Sequence, residues 1–173
     1  METSKLLPSE LKIFNFAKKE VNLFGEYLIS NLPRISEIAI NKEDSVKVDL
    51  SFYLENDKTP CVKGIIELNI VLECQRCLEA LQKHLKVNFN LAFVRNEQQA
   101  EGLDSQYEIY VIEGDELATI DLITDEILLS LPMAPSHNYE CNLNKDKQEI
   151  VKEKRENPFT ILKNIKIADV GKE

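Results

Sequence analysis

Cys74 and Cys77 are separated by two residues in the stretch LNIVLECQRCLEAL, and no other pair of side chains here has spacing so suited to chemistry. Thiols at this spacing can reach one metal ion from a tight backbone turn, but a structural zinc site takes four ligands. The remaining two would be His137 and Cys141, whose H-x3-C spacing is close to that of zinc modules. The two halves are about 60 residues apart in the chain, so a structural zinc on Cys74, Cys77, His137 and Cys141 requires the fold to bring them together. Two other readings of the CxxC pair stay open. A thioredoxin-like redox pair sits at a helix N-terminus after a strand, whereas the pattern here is strand, turn, strand. Otherwise the two thiols are small, half-buried hydrophobes at a hairpin end. His84 reads as an ordinary strand residue and Cys61 as a plain edge residue.

Arg76, between the two thiols, has a planar fork suited to RNA phosphate or to a partner's carboxylate. Its plain alternative is an ion pair with Glu73 or Glu79, worth little on a surface. Asp125 and Glu126 raise the question of acid–base or Mg²⁺ chemistry. Adjacent helical positions point about 100° apart, so the two do not converge on one atom. Asp121 and Asp125 share a face, yet no phosphate-cradling glycine loop or nucleophile–base pair accompanies them. Their expected roles are to complement the helix dipole and to face a basic partner. No catalytic residue and no small-molecule substrate site is identified.

Charge is unevenly distributed. The net charge is −9, but residues 101–142 carry ten acids and no Lys or Arg, leaving 20 acids and 21 bases elsewhere. The acidic segment would repel a phosphate backbone and attract basic proteins such as ribosomal proteins, or simply aid solubility. Direct RNA contact would fall to Arg76, Lys83, Lys86, Arg95 and the bases from Lys145 to Arg155. No apolar run reaches the ~18–20 residues of a membrane span, and METSKLLPSELK is too polar for a signal peptide. These features predict a cytoplasmic protein with reduced thiols and no membrane partner.

The elements that must position these residues follow from periodicity. Ser9 can cap a first helix carrying Leu11, Phe14, Ala17 and Val21. Gly25 breaks it, Glu26–Ile29 suits a short strand, and a second helix starts near Pro33 with Leu32, Ile35 and Ile38 on one face. From Val46 the period becomes two, and three alternating runs reach Phe93 with short connections, apart from Lys83 on an apolar face. Residues 96–106 form a polar loop, Tyr107–Ile112 a further strand, and Thr119 or Asp121 caps a helix ending at Pro132. The predicted class is α+β. An antiparallel meander of about four to six strands, open or barrel-like, is flanked by N-terminal helices and a helix near 120–131. Residues 1–142 would be one domain, 143–157 a charged linker, and 158–173 a short amphipathic docking segment starting at Pro158 and Phe159.

Three stretches, LECQRCLEAL, DEILLSLPMAPSHNYEC and NPFTILKNIK, resemble in order and separation the bacterial YceD-like family of large ribosomal RNA subunit accumulation proteins. The residues carrying the resemblance are Cys74, Arg76, Cys77, Asp125, Glu126, Pro132, His137, Cys141, Pro158 and Phe159. The resemblance implies a non-enzymatic role in accumulation or maturation of 23S rRNA. The expected partners are precursor 23S rRNA, a large-subunit ribosomal protein or another assembly factor. The competing class is an enzyme: a metal-dependent rRNA-processing nuclease, or a thiol oxidoreductase using the CxxC pair.

Overall fold

The structure, a computed structural model, describes residues 7–56 and 58–141. Strands β3 (Ser45–Glu55), β4 (Thr59–Glu73) and β5 (Ala80–Val94) form the antiparallel meander that the two-residue period predicts. β2 (Asn22–Leu28) pairs with β3, and β6 (Glu108–Val111) with β5, giving the order β2-β3-β4-β5-β6. The class is α+β as expected, but the sheet is open and not closed into a barrel. Nor is it a meander throughout, because β6 runs parallel to β5. Residues 95–107, with a 3-10 turn at Glu97–Ala100, form the crossover of a dozen or more residues that a parallel pairing needs.

The N-terminus departs from its pattern. Leu11 lies in a strand, β1 (Glu10–Lys12), which pairs with β7 (Glu116–Ala118), and helix α1 begins only at Ile13 and ends at Lys18. Ser9 therefore caps nothing; its carbonyl accepts the Thr119 amide at 3.0 Å. A long-range ladder has overridden a local capping signal. Gly25 lies inside β2 opposite Val48 and does not interrupt it. Helix α2 (Pro33–Ile38) starts on its proline, and α3 (Thr119–Ser130) runs to just before Pro132. Neither Thr119 nor Asp121 caps α3: the N-cap is Ala118, and the Thr119 hydroxyl donates to the Pro8 carbonyl. Asp121 stays in the first turn, where its charge complements the dipole.

The inner face of the sheet supplies Val48, Leu50, Phe52, Ile66, Phe89 and Phe93, packed with Ile13, Ile35, Ile123 and Ile127 from the helices. Gly64 faces inward, and a Cβ there would lie 1.9 Å from Cζ of Phe89, so the ring rests directly on the β4 backbone. Cys61 is no edge residue. β4 is the central strand, and on its outer face Cys61 is fully buried with Ala92, Tyr107 and half-buried Tyr53 and Leu103. Because β6 covers only Leu91–Val94, the start of β5 is an edge among the described residues. Half-buried Lys83, opposite Ile70, is the inward-pointing charge that discourages such an edge from pairing.

Candidate metal centre

The β4–β5 hairpin ends in a tight loop. The Leu78 amide bonds the Cys74 carbonyl at 2.8 Å and the Cys74 amide bonds the Glu79 carbonyl at 2.9 Å, with Leu78 at φ +62°. This turn carries Cys74 and Cys77. The second half arrives from α3: Pro132 halts the helix, and residues 133–141 run across the loop as irregular chain. Three polar contacts tie the halves together. The Gln75 amide donates to the Pro135 carbonyl at 2.8 Å, Arg76 Nη1 to the Tyr139 carbonyl at 3.3 Å, and His137 Nε2 to the Ala80 carbonyl at 3.3 Å.

Cys74, Cys77, His137 and Cys141 thus converge, with their four donor atoms within 4.8 Å of one another. Cys74 Sγ and Cys141 Sγ are 3.7 Å apart, and Cys77 Sγ is 3.4 Å from His137 Nδ1. A tetrahedral ion with bonds of ~2.3 Å to sulfur and ~2.0 Å to nitrogen places its ligands ~3.8 Å and ~3.5 Å apart. The observed distances match that, and a disulfide would need sulfurs at ~2.05 Å. Histidine geometry fits as well. A carbonyl can only accept, so the bond to Ala80 puts the proton on Nε2 and leaves the Nδ1 lone pair facing the sulfurs. The ring stacks on Tyr139 at 4.8 Å.

The electrostatics point the same way. Burial pushes the Cys74 thiol up, but the backbone amides of Cys77, Arg76 and His137 aimed at its sulfur bring it well below its ordinary value. Cys77 is pushed the other way by burial and by the neighbouring Cys74 and Cys141 sulfurs. The cluster therefore holds one thiolate readily and resists a second, a conflict that a bound cation relieves. These four residues could hold a metal ion through four protein ligands.

The same motifs decide the family. A family model described as "Large ribosomal RNA subunit accumulation protein YceD" matches residues 62–166, more than half the chain and all four clustered residues. The protein of that name from Haemophilus influenzae is 34% identical over 169 residues, covering 92% of this chain and 96% of its own length. The chain belongs to the YceD family. No solved structure matches it.

Of the other predicted site residues, Arg76 sits on the cluster's own turn, while Lys83, Lys86, Arg95, Asp125 and Glu126 lie away from it. Arg76 is exposed and bonds Tyr139, with no ion pair to Glu73 or Glu79. Arg95 lies just beyond the far end of β5, roughly 45 Å along the strand from the hairpin tip. Its guanidinium reaches the carbonyls of Glu113 (2.8 Å) and Gly114 (2.6 Å) and the Asp115 carboxylate, and stacks over Phe14. Lys86 pairs with Glu67 at 2.6 Å on the outer face, while Lys83 points to the inner one. Asp125 pairs with Arg34, and Glu126 is buried. The linker at 143–157, the segment at 158–173, and Pro158 and Phe159 lie outside the described residues.

Sequence reasoning missed the anchoring of Arg95, the burial of Glu126 and the Tyr107 hydroxyl that donates to Glu55 at 2.6 Å. Only helical spacing hinted at the second of these, since Leu122 and Ile123 lie four and three positions before Glu126 on the buried face.

Proposed function

We propose that this protein is a non-enzymatic factor in large ribosomal subunit biogenesis, needed for 23S rRNA to accumulate, and that a structural zinc pins its hairpin tip. The observation that carries the second half is the closed donor set: three sulfurs and one oriented imidazole within 4.8 Å of one another, with the Cys74–Cys141 and Cys77–His137 pairs at tetrahedral separations. A catalytic zinc keeps one position for water, and four protein ligands leave none. The name of the Haemophilus relative supports the first half.

In this reading zinc supplies a cross-link between β4 and the chain after α3. His137 is oriented by Ala80, and the amides around Cys74 stabilise its thiolate. The protein acts in the cytoplasm by holding precursor 23S rRNA or a large-subunit ribosomal protein. Arg76 and Lys86 are the cations offered to RNA, which Lys83 and Arg95 would join on leaving the inner face and the Glu113–Asp115 turn that now hold them, with Asp125 and Glu126 facing a basic protein. Pro158 and Phe159 begin the partner-docking segment. Among the described residues no helix is long and apolar enough to cross a membrane.

Two measurements test this. Metal analysis of the purified protein should give close to one zinc per chain, lost in Cys74→Ala. Tagged protein recovered from growing cells should enrich precursor 23S rRNA, and incubation with that RNA should cleave nothing, with or without chelator. Metal-dependent cleavage that disappears in Cys74→Ala would replace the assembly factor with a nuclease.

A further inference from the structure

At the end of the sheet far from β2, a trough of about 460 Å³ lies between β6 and α3. Leu91, Ile109, Leu128 and Leu129 supply its apolar lining, and Leu129 is 77% exposed. Three carboxylates, Glu108, Asp125 and Glu126, line it against a single cation, Arg34, which is paired with Asp125. Glu126 is the decisive member. It is only 7% exposed, yet among the described residues it makes no hydrogen bond or ion pair. Its oxygens are not sealed off, since among the described residues Thr124 Oγ1 alone is a fully buried side-chain polar atom without a partner, so water serves this carboxylate until a donor replaces it.

The backbone beside it is also unpartnered. β6 is the last strand of the sheet, and among the described residues no strand pairs with its outer edge. Its outward amides and carbonyls form a template for an added strand. Apolar wall, open edge and the two acids without an ion pair among the described residues, Glu108 and Glu126, together specify the occupant.

We propose that this trough binds a basic, extended segment of a protein partner, which adds to the β6 edge as a strand and sets Lys or Arg against Glu108 and Glu126. RNA is the poorer fit, since its phosphates would meet three carboxylates. The proposal deepens the reading above, on which it rests for the class of protein that supplies the segment, a large-subunit ribosomal protein.

Protonation gives this site its own signature. Burial, then Glu108 and Asp125, push the Glu126 carboxyl up to about 7. The groups facing it are Glu108 and Tyr110 from β6, Arg34 from α2 and Asp125 from its own helix. A cation arriving there favours the ionised form, so binding near neutral pH expels a proton.

The test is calorimetric titration of the full chain with a short acetylated peptide of alternating Lys and Val, in two buffers of different ionisation enthalpy. The expected result is salt-sensitive binding with proton release. Glu126→Gln should weaken it about tenfold, a loss of ~1.4 kcal/mol, and abolish the proton release. Glu108→Gln, on an exposed position, guards against a folding artefact and should weaken binding less. Equal binding of a Glu–Val peptide, no binding of the Lys–Val peptide, or affinity unchanged in both variants would overturn the proposal. So would displacement of the peptide by a single-stranded RNA oligonucleotide, or self-association of the free chain that Ile109→Lys abolishes. Co-sedimentation of the same chains with large-subunit precursors separates the two readings. If the peptide fails while the protein still co-sediments, the trough is wrong and the assembly role stands; peptide binding without co-sedimentation has the reverse meaning.

Discussion

Cys61 and Cys74 stand near opposite ends of the same strand region, and both are fully buried, yet their chemistry is opposite. Around Cys61 the neighbours are Ala92, Tyr107 and Tyr53, and burial pushes its thiol up to about 11. Around Cys74, three backbone amides point at the sulfur and pull its thiol down despite the same burial. Burial by itself makes a thiol inert, and oriented donors make a buried thiol a ligand. Cys61 is packing material; Cys74 belongs to a site.

The sharpest way to break this contrast is to truncate each thiol in turn. Cys74→Ala should remove the metal and untie the chain after α3, costing about 4 kcal/mol or more, since loss of a metal is among the few large single-residue effects. The melting temperature should fall by ~10 °C, and chelator should do the same to the native chain. Cys61→Ala removes one small apolar group and should cost about 1 kcal/mol, with zinc content unchanged. Equal losses, or chelator without effect on melting, would erase the distinction.

At the Cys61 end, stability should reside in packing rather than sulfur. Gly64→Ala puts a methyl group into the ring of Phe89, and β4 is central, so neither can move far. Overpacking of this kind costs about 1–3 kcal/mol. Thermal melting of the variant checks it, and its zinc content should be unchanged.

Glu126 extends the comparison to a carboxylate: as at Cys61, burial is the largest influence, and its pKa is raised from 4.5 to about 7. Below the lower value, folded and unfolded chains are both protonated there. Between the two, the folded chain keeps a proton that the unfolded chain has lost, so stability falls as pH rises and levels off above the upper value. Glu126→Gln should therefore gain about 2 kcal/mol at about pH 8 and almost nothing near pH 4. Urea unfolding of both proteins across this range shows whether that slope is present and lost.

Much of this was legible in the sequence, for reasons that can be named. The meander followed from alternation at Val46, Val48, Leu50 and Phe52 and its continuation through β4 and β5, because half-buried strands leave a period of two. The cluster was legible as ligand types, but the meeting of its halves depends on Pro132 and the bonds from Gln75 and His137, which no spacing encodes. The β1–β7 ladder was hidden since three-residue strands leave no periodicity. The parallel β6 was hidden because a loop's length shows that a crossover is affordable, not that it occurs.

Arg76 offers the smallest effect and the finest discrimination. The one hydrogen bond its side chain makes among the described residues is to the Tyr139 carbonyl at 3.3 Å, at the surface where water can replace it. Arg76→Ala should therefore cost well under about 1 kcal/mol and leave zinc in place, as expected for a single exposed hydrogen bond. Arg76→Glu shortens the side chain and reverses its charge, and should loosen association with large-subunit precursors while the melting temperature barely moves. Melting and precursor co-sedimentation, measured on both variants, separate a clamp on residues 133–141 from a contact to RNA. If melting falls several degrees in Arg76→Ala, the arginine belongs with Cys74 as part of what holds the tip together. If co-sedimentation alone is lost in Arg76→Glu, the same loop that closes around the metal presents its charge outward to the partner.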